Sequence, residues 1–218
     1  MGRARRSYGE RQFTERGLSQ GEMDHRMISE SELLRCHERA HDATGRVIGA
    51  IGDDQWQVWV GTSNTDVRTL VNHIVTSNLE VPWLVAGESI EQVRARTAGD
   101  HLADGVMAAY EASGEVAQAV FSAEGALEVD CQDTFGRPKS GFEYCGARFV
   151  DTLVHGWEIA KVTSQDTVLD VDLVEAAISV IEPEILRLRA EGIIKDALEV
   201  PADADPQERF LALFGYQD

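Results

Sequence analysis

Apolar residues recur at helical spacing along most of the chain. After Ser29, which with Glu32 has the Ser-x-x-Glu form of a capping box, Leu33, Leu34, Ala40, Val47, Ile48 and Ile51 predict a first helix over 30–52. A loop with Trp56 and Trp59 follows. Thr65 or Asp66 is then placed to cap a second helix, whose Val67, Leu70, Val71, Ile74, Val75 and Asn78 keep the i, i+3, i+4, i+7 rhythm to about Leu79, with Pro82 and Gly87 marking its end or a kink. A third helix is expected over 89–96 or from Asp100 to Phe121, carrying Leu102, Val106, Ala109 and Tyr110. From Ala123 to Gly141 the pattern turns to Gly and Pro with one short alternating run, Ala126 to Val129, which predicts a long connection with a small extended piece. Helix four covers 142–163 on Phe149, Leu153, Val154, Trp157 and Ala160. A fifth covers 170–191, bent at Pro183, and Glu208 to Phe214 forms a last short helix. These elements predict an all-α up-down bundle with additional C-terminal helices, in one domain over 27–218. Residues 1–26, polar, basic and nearly free of aliphatic side chains, are expected to form a disordered arm.

Composition narrows the function. The 218 residues carry 38 acidic against 20 basic side chains, a net charge of −18. Such a body repels phosphate backbones, so nucleic acid is excluded as the expected partner. The stretches without a charged residue are short, Thr69 to Leu79 for example, and none approaches the roughly 18 residues of a membrane span. Three cysteines at unrelated spacings, Cys36, Cys131 and Cys145, and an opening without a secretory pattern point to a reducing cytoplasm, with the thiols as small buried hydrophobes.

The candidate chemistry lies on helices two and four. Asp151 and His155 stand i, i+4, one above the other on one helical face. His73 lies at the margin of the second helix's apolar stripe, about 60° from Leu70 at 100° per residue. Two imidazoles and a carboxylate are the donor set of catalytic zinc sites, which keep a position open for water or substrate. Read without a metal, Asp151 and His155 are a helix-surface pair and His73 a satisfied core histidine. A second pair at metal-ligand spacing, His37 and His41, sits among Arg35, Glu38, Arg39 and Asp42, which predicts a solvated face.

Two segments carry a resemblance: Asp66-Val-Arg-Thr-Leu-Val-Asn-His73, and Asp151-Thr-Leu-Val-His155-Gly-Trp-Glu-Ile-Ala-Lys-Val-Thr163 about eighty residues later. Together with the ending Val200-Pro-Ala-Asp-Ala-Asp-Pro-Gln-Glu-Arg-Phe-Leu-Ala-Leu-Phe-Gly215, they resemble actinobacterial metal-binding proteins related to mycothiol-dependent maleylpyruvate isomerase, within the DinB-like four-helix superfamily. The resemblance implies a divalent metal, zinc by preference, on His73, Asp151 and His155, with Asp151 replacing the Glu of the isomerase branch. It places Glu158 where the family often has Asp, as a partner orienting an imidazole. Relatives often carry a Thr-Pro-Cys segment before the second helix, where this chain has Gly61-Thr-Ser-Asn-Thr65. The implied activity is a thiol transferase or isomerase in which the metal activates mycothiol toward an electrophile, Arg148 and Trp83 being candidate walls of the thiol site. A metal- or ligand-binding accessory bundle, paired as a homodimer through helix faces, and a metal-activated hydrolase are the competing readings.

Overall fold

A computed structural model describes residues 28–201 and 203–217. The arm expected over residues 1–26 lies outside the described residues. The described residues are mostly helical, with two hairpins of very short strands.

Ser29 caps α1 (Glu30–Gly49) by accepting the backbone N–H of Glu32 at 3.3 Å, and Leu33, Cys36, His37, Ala40, Thr44 and Ile48 form its buried face. Asp66, at the end of a hairpin of β1 (Trp59–Val60) and β2 (Thr65–Asp66), caps α2 (Val67–Val85) through the N–H of Thr69 at 2.7 Å. This helix runs slightly beyond Leu79 and through Pro82, and Gly87, at φ +85°, marks its end as the sequence suggested. The two alternatives for a third helix both exist, as α3 (Ile90–Thr97) and α4 (Val106–Phe121). Gly99 and Gly105 at positive φ interrupt any continuous helix between them.

The extended piece falls after the predicted alternating run. Residues 126–129 are turns, and β3 (Asp130–Gln132) pairs antiparallel with β4 (Pro138–Ser140), Cys131 opposite Lys139. Asp133 closes this hairpin by accepting the N–H groups of Phe135 and Arg137 and the guanidinium of Arg137. At its far end Ser140 and Glu143 form a reciprocal capping box that starts α5 (Gly141–Val162), close to the predicted bounds. The predicted fifth helix is two, α6 (Val171–Ile181) and α7 (Ile185–Ala190), because Pro183 breaks the backbone ladder between them. Asp205 and Pro206 start α8 (Pro206–Leu213) two residues ahead of the sequence boundary.

The four long helices pack in a ring, α1 on α5, α5 on α2, α2 on α4, and α4 back on α1, while α6 lies on α5 and α1 and is covered by α8. Two close approaches fix the ring. At Gly156 an added Cβ would lie 2.3 Å from the Thr44 hydroxyl, which donates to the Thr152 carbonyl at 3.0 Å across the α1–α5 seam. At Gly114 it would meet the His41 ring at 2.0 Å, across the seam between α1 and α4.

That second seam corrects the reading of His37 and His41. His37 is 3% exposed, its Nδ1 2.7 Å from Gln118 Oε1 and its ring edge-on to Phe121. The His41 ring stacks on Tyr110 with centroids 4.1 Å apart. Successive residues of a helix stand about 100° apart, so His37 turns inward beside Glu38, while His41, only partly buried, shares a cleft with Glu38 and Asp42. Burial lowers the pKa of His37 from 6.5 to about 4, against the Gln118 hydrogen bond. Above pH 6.5 the ring is neutral folded and unfolded. Between 6.5 and 4 only the unfolded chain takes the proton, so stability falls as the pH falls. Between pH 7 and 5 the His37→Gln variant should lose about 2 kcal/mol less unfolding free energy than wild type, read from denaturant titrations. Parallel losses in the two proteins would refute this burial penalty.

Candidate metal centre

α5 and α2 are neighbours in the ring, and they bring the predicted ligands together. One ligand atom from each of His73, Asp151 and His155 lies within 4.8 Å of the others. The two imidazoles stand nearly perpendicular, with centroids 5.3 Å apart. Asp151 lies between them, Oδ1 at 3.2 Å from His155 Nε2 and Oδ2 at 3.8 Å from His73 Nε2. Side-chain exposure falls from 51% at His73 through 36% at Asp151 to 14% at His155, so the cluster opens to solvent on the α2 side.

The residues behind the cluster fix its orientation. His155 Nδ1 lies 2.6 Å from Glu158 Oε2, a short hydrogen bond in which the ring N–H donates and Nε2 faces Asp151. Glu158 is fully buried and accepts in addition from the Ser63 hydroxyl, at 2.8 Å to Oε1 and 2.7 Å to Oε2. Glu158 is therefore no surface charge. Arg148 is also buried: it donates to Asp151 Oδ2 at 2.6 Å and to Asn78 Oδ1 at 3.3 Å. Trp83 lies elsewhere, about 15 Å further along α2, with its ring beneath the Arg96 guanidinium at 3.9 Å.

The electrostatics follow from this packing. Desolvation acts against a charged His155, but Asp151 and then Glu158 outweigh it and push its pKa up to about 10. Desolvation also opposes ionisation of Asp151, yet His155 and Arg148 hold its carboxyl well below the usual range. At His73 desolvation lowers the pKa against the pull of Asp151, so this imidazole is neutral. Asp151 and Glu158 both draw a proton onto His155, and once that proton leaves the same groups present two nitrogens and a carboxylate oxygen. This is a borderline-soft donor set of the kind that zinc-class ions take.

Ser63 and the bracing role of Asn78 were not legible in the sequence. Ser63 sits in the loop that replaces the Thr-Pro-Cys segment of the resembling proteins, and only the hairpin pairing of Trp59 with Asp66 carries that loop toward Glu158. Asn78 reads as one more position on the inner stripe of α2. Ser63→Ala removes a donor from a buried carboxylate and should weaken zinc binding about tenfold in a competition titration. An unchanged affinity would show that His155 is oriented without the loop.

The three cysteines are buried and unpaired, as expected, and burial raises the pKa of each, that of Cys131 to about 11. Their thiols are protonated and enclosed. Among the described residues no helix is long and apolar enough to cross a membrane.

Two proteins of Mycobacterium tuberculosis are similar to this chain over most of its length: the uncharacterized proteins MT0763, of strain CDC 1551, and Rv0738, of strain H37Rv. Each is 27% identical over 187 residues, which cover 84% of this chain and 96% of the relative. No protein-family model matches the chain, and no solved structure does.

Proposed function

We propose that the protein is a DinB-like bundle that holds a divalent ion of the zinc class on His73, Asp151 and His155, and that it activates a low-molecular-weight thiol, mycothiol in the resembling enzymes, toward an electrophilic small molecule. The observation that carries this reading is the convergence, from two helices, of three ligand atoms within 4.8 Å of one another. The donor set fits the ion, since two imidazole nitrogens and one carboxylate oxygen leave coordination positions free. Exposure on the His73 side supports access from solution. An ion bound there supplies Lewis acidity, which lowers the pKa of a thiol or water at its open positions toward neutrality.

The chain's own part is orientation. Glu158, steadied by Ser63, keeps the Nδ1 proton of His155 so that Nε2 is the donor, and Arg148 sets the rotamer of Asp151. The thiol has to be supplied from outside, because the three cysteines of the chain are buried and protonated. Those unpaired thiols also fit a reducing cytoplasm. The test is consumption of mycothiol with a panel of electrophiles by zinc-loaded protein. Wild type should turn over and His73→Ala should not. Consumption that persists in the variant refutes activation by the ion, and ester cleavage without any thiol replaces the transferase with a hydrolase.

A further inference from the structure

A buried cation lies beside the proposed ion site. Arg148 precedes Asp151 by one turn of α5, its side chain 3% exposed, and it reaches both ligand-bearing helices: Asp151 Oδ2 on α5 at 2.6 Å and Asn78 Oδ1 on α2 at 3.3 Å. Its Nε is buried with no hydrogen-bond partner among the described residues. A desolvated guanidinium with its Nε–H unpartnered is a costly way to join two helices, where apolar side chains of similar volume stabilise as well or better. Its position against one oxygen of one ligand gives it a more specific consequence.

We infer that Arg148 sets the metal preference of the site by withholding Oδ2 of Asp151 from the ion. The inference rests on the reading of the cluster as a metal centre. A charge-assisted bond of 2.6 Å takes up the lone pairs of Oδ2 on that side and compensates the carboxylate charge, so Asp151 offers one oxygen, Oδ1, and little net charge. Cations that bind through anionic or chelating oxygens, calcium and manganese among them, lose most from this arrangement. A zinc-class ion loses least, because His73 and His155 still supply two nitrogen donors when Asp151 offers a single oxygen. Arg148 is therefore a positioning residue that acts through Asp151.

The test titrates ion-free wild type, Arg148→Met and Arg148→Lys with Zn2+ and with Mn2+ by calorimetry, the fold of each being checked by circular dichroism. The ratio of the two dissociation constants is the readout, since a merely structural role would weaken both ions alike. In Arg148→Met the preference for zinc should drop at least tenfold, chiefly through tighter manganese binding. In Arg148→Lys, which keeps the charge but not the planar fork, the drop should be about threefold. If the Met variant fails to fold, the Lys variant carries the test. A wild type that binds zinc, with variants whose ratio is unchanged, overturns the role of Arg148 alone. A wild type that binds no zinc overturns the metal centre and this inference with it.

Discussion

His155→Ala should empty the ion site. Purified wild-type protein is expected to carry about one divalent ion per chain by elemental analysis, and the variant none. Loss of groups that only orient a ligand costs 10–100-fold in affinity, so loss of the ligand itself should exceed about a hundredfold, roughly 3 kcal/mol. The substitution also strips buried Glu158 of its imidazole partner and leaves Asp151 with Arg148 and the more distant His73. His37→Ala is the control: that imidazole lies between α1 and α4, bonded to Gln118, and its removal should leave the ion content as it was. An ion lost from His37→Ala and kept by His155→Ala would move the site to α1.

The largest loss of stability is expected at Trp157, two residues further along α5. Its side chain is 2% exposed, and its ring lies parallel to that of Tyr216 with centroids 5.9 Å apart, tying the segment after α8 to the bundle. Trp157→Ala removes the bulkiest of the fully buried side chains and should cost about 3–5 kcal/mol, lowering the melting temperature by roughly 6–20 °C. Trp157→Phe, which refills most of the volume, should recover more than half of that. A loss below about 1 kcal/mol in the Ala variant would mean that the surrounding helices close the cavity.

The readable parts of this molecule share a cause, repetition. α5 announced itself through its long apolar stripe, and Asp151 and His155 were paired by helical geometry alone. His73 was placed at the margin of the α2 stripe by the same geometry, and there it lies, half exposed. Pro183 was correctly seen as a disturbance, but whether a proline bends or breaks a helix depends on what packs beside it. The β1–β2 hairpin left no signal, since strands of two residues have no period, and Ser63 went unseen with it. His37 was misjudged through its neighbours in sequence. On a helix adjacent residues face different directions, so a charged flank says little about the side chain it brackets.

The ring order of the long helices has a thermodynamic corollary. α2 and α5 touch in space but are far apart in sequence, so an unfolded chain would have to close a loop of about eighty residues before its three donors met, at an entropic cost of about 4 kcal/mol. An ion that prefers the assembled donors by that margin binds the native state almost exclusively. Chelators would then lower the denaturation midpoint, and added ion at a hundred times its dissociation constant would raise the unfolding free energy by about 2.7 kcal/mol.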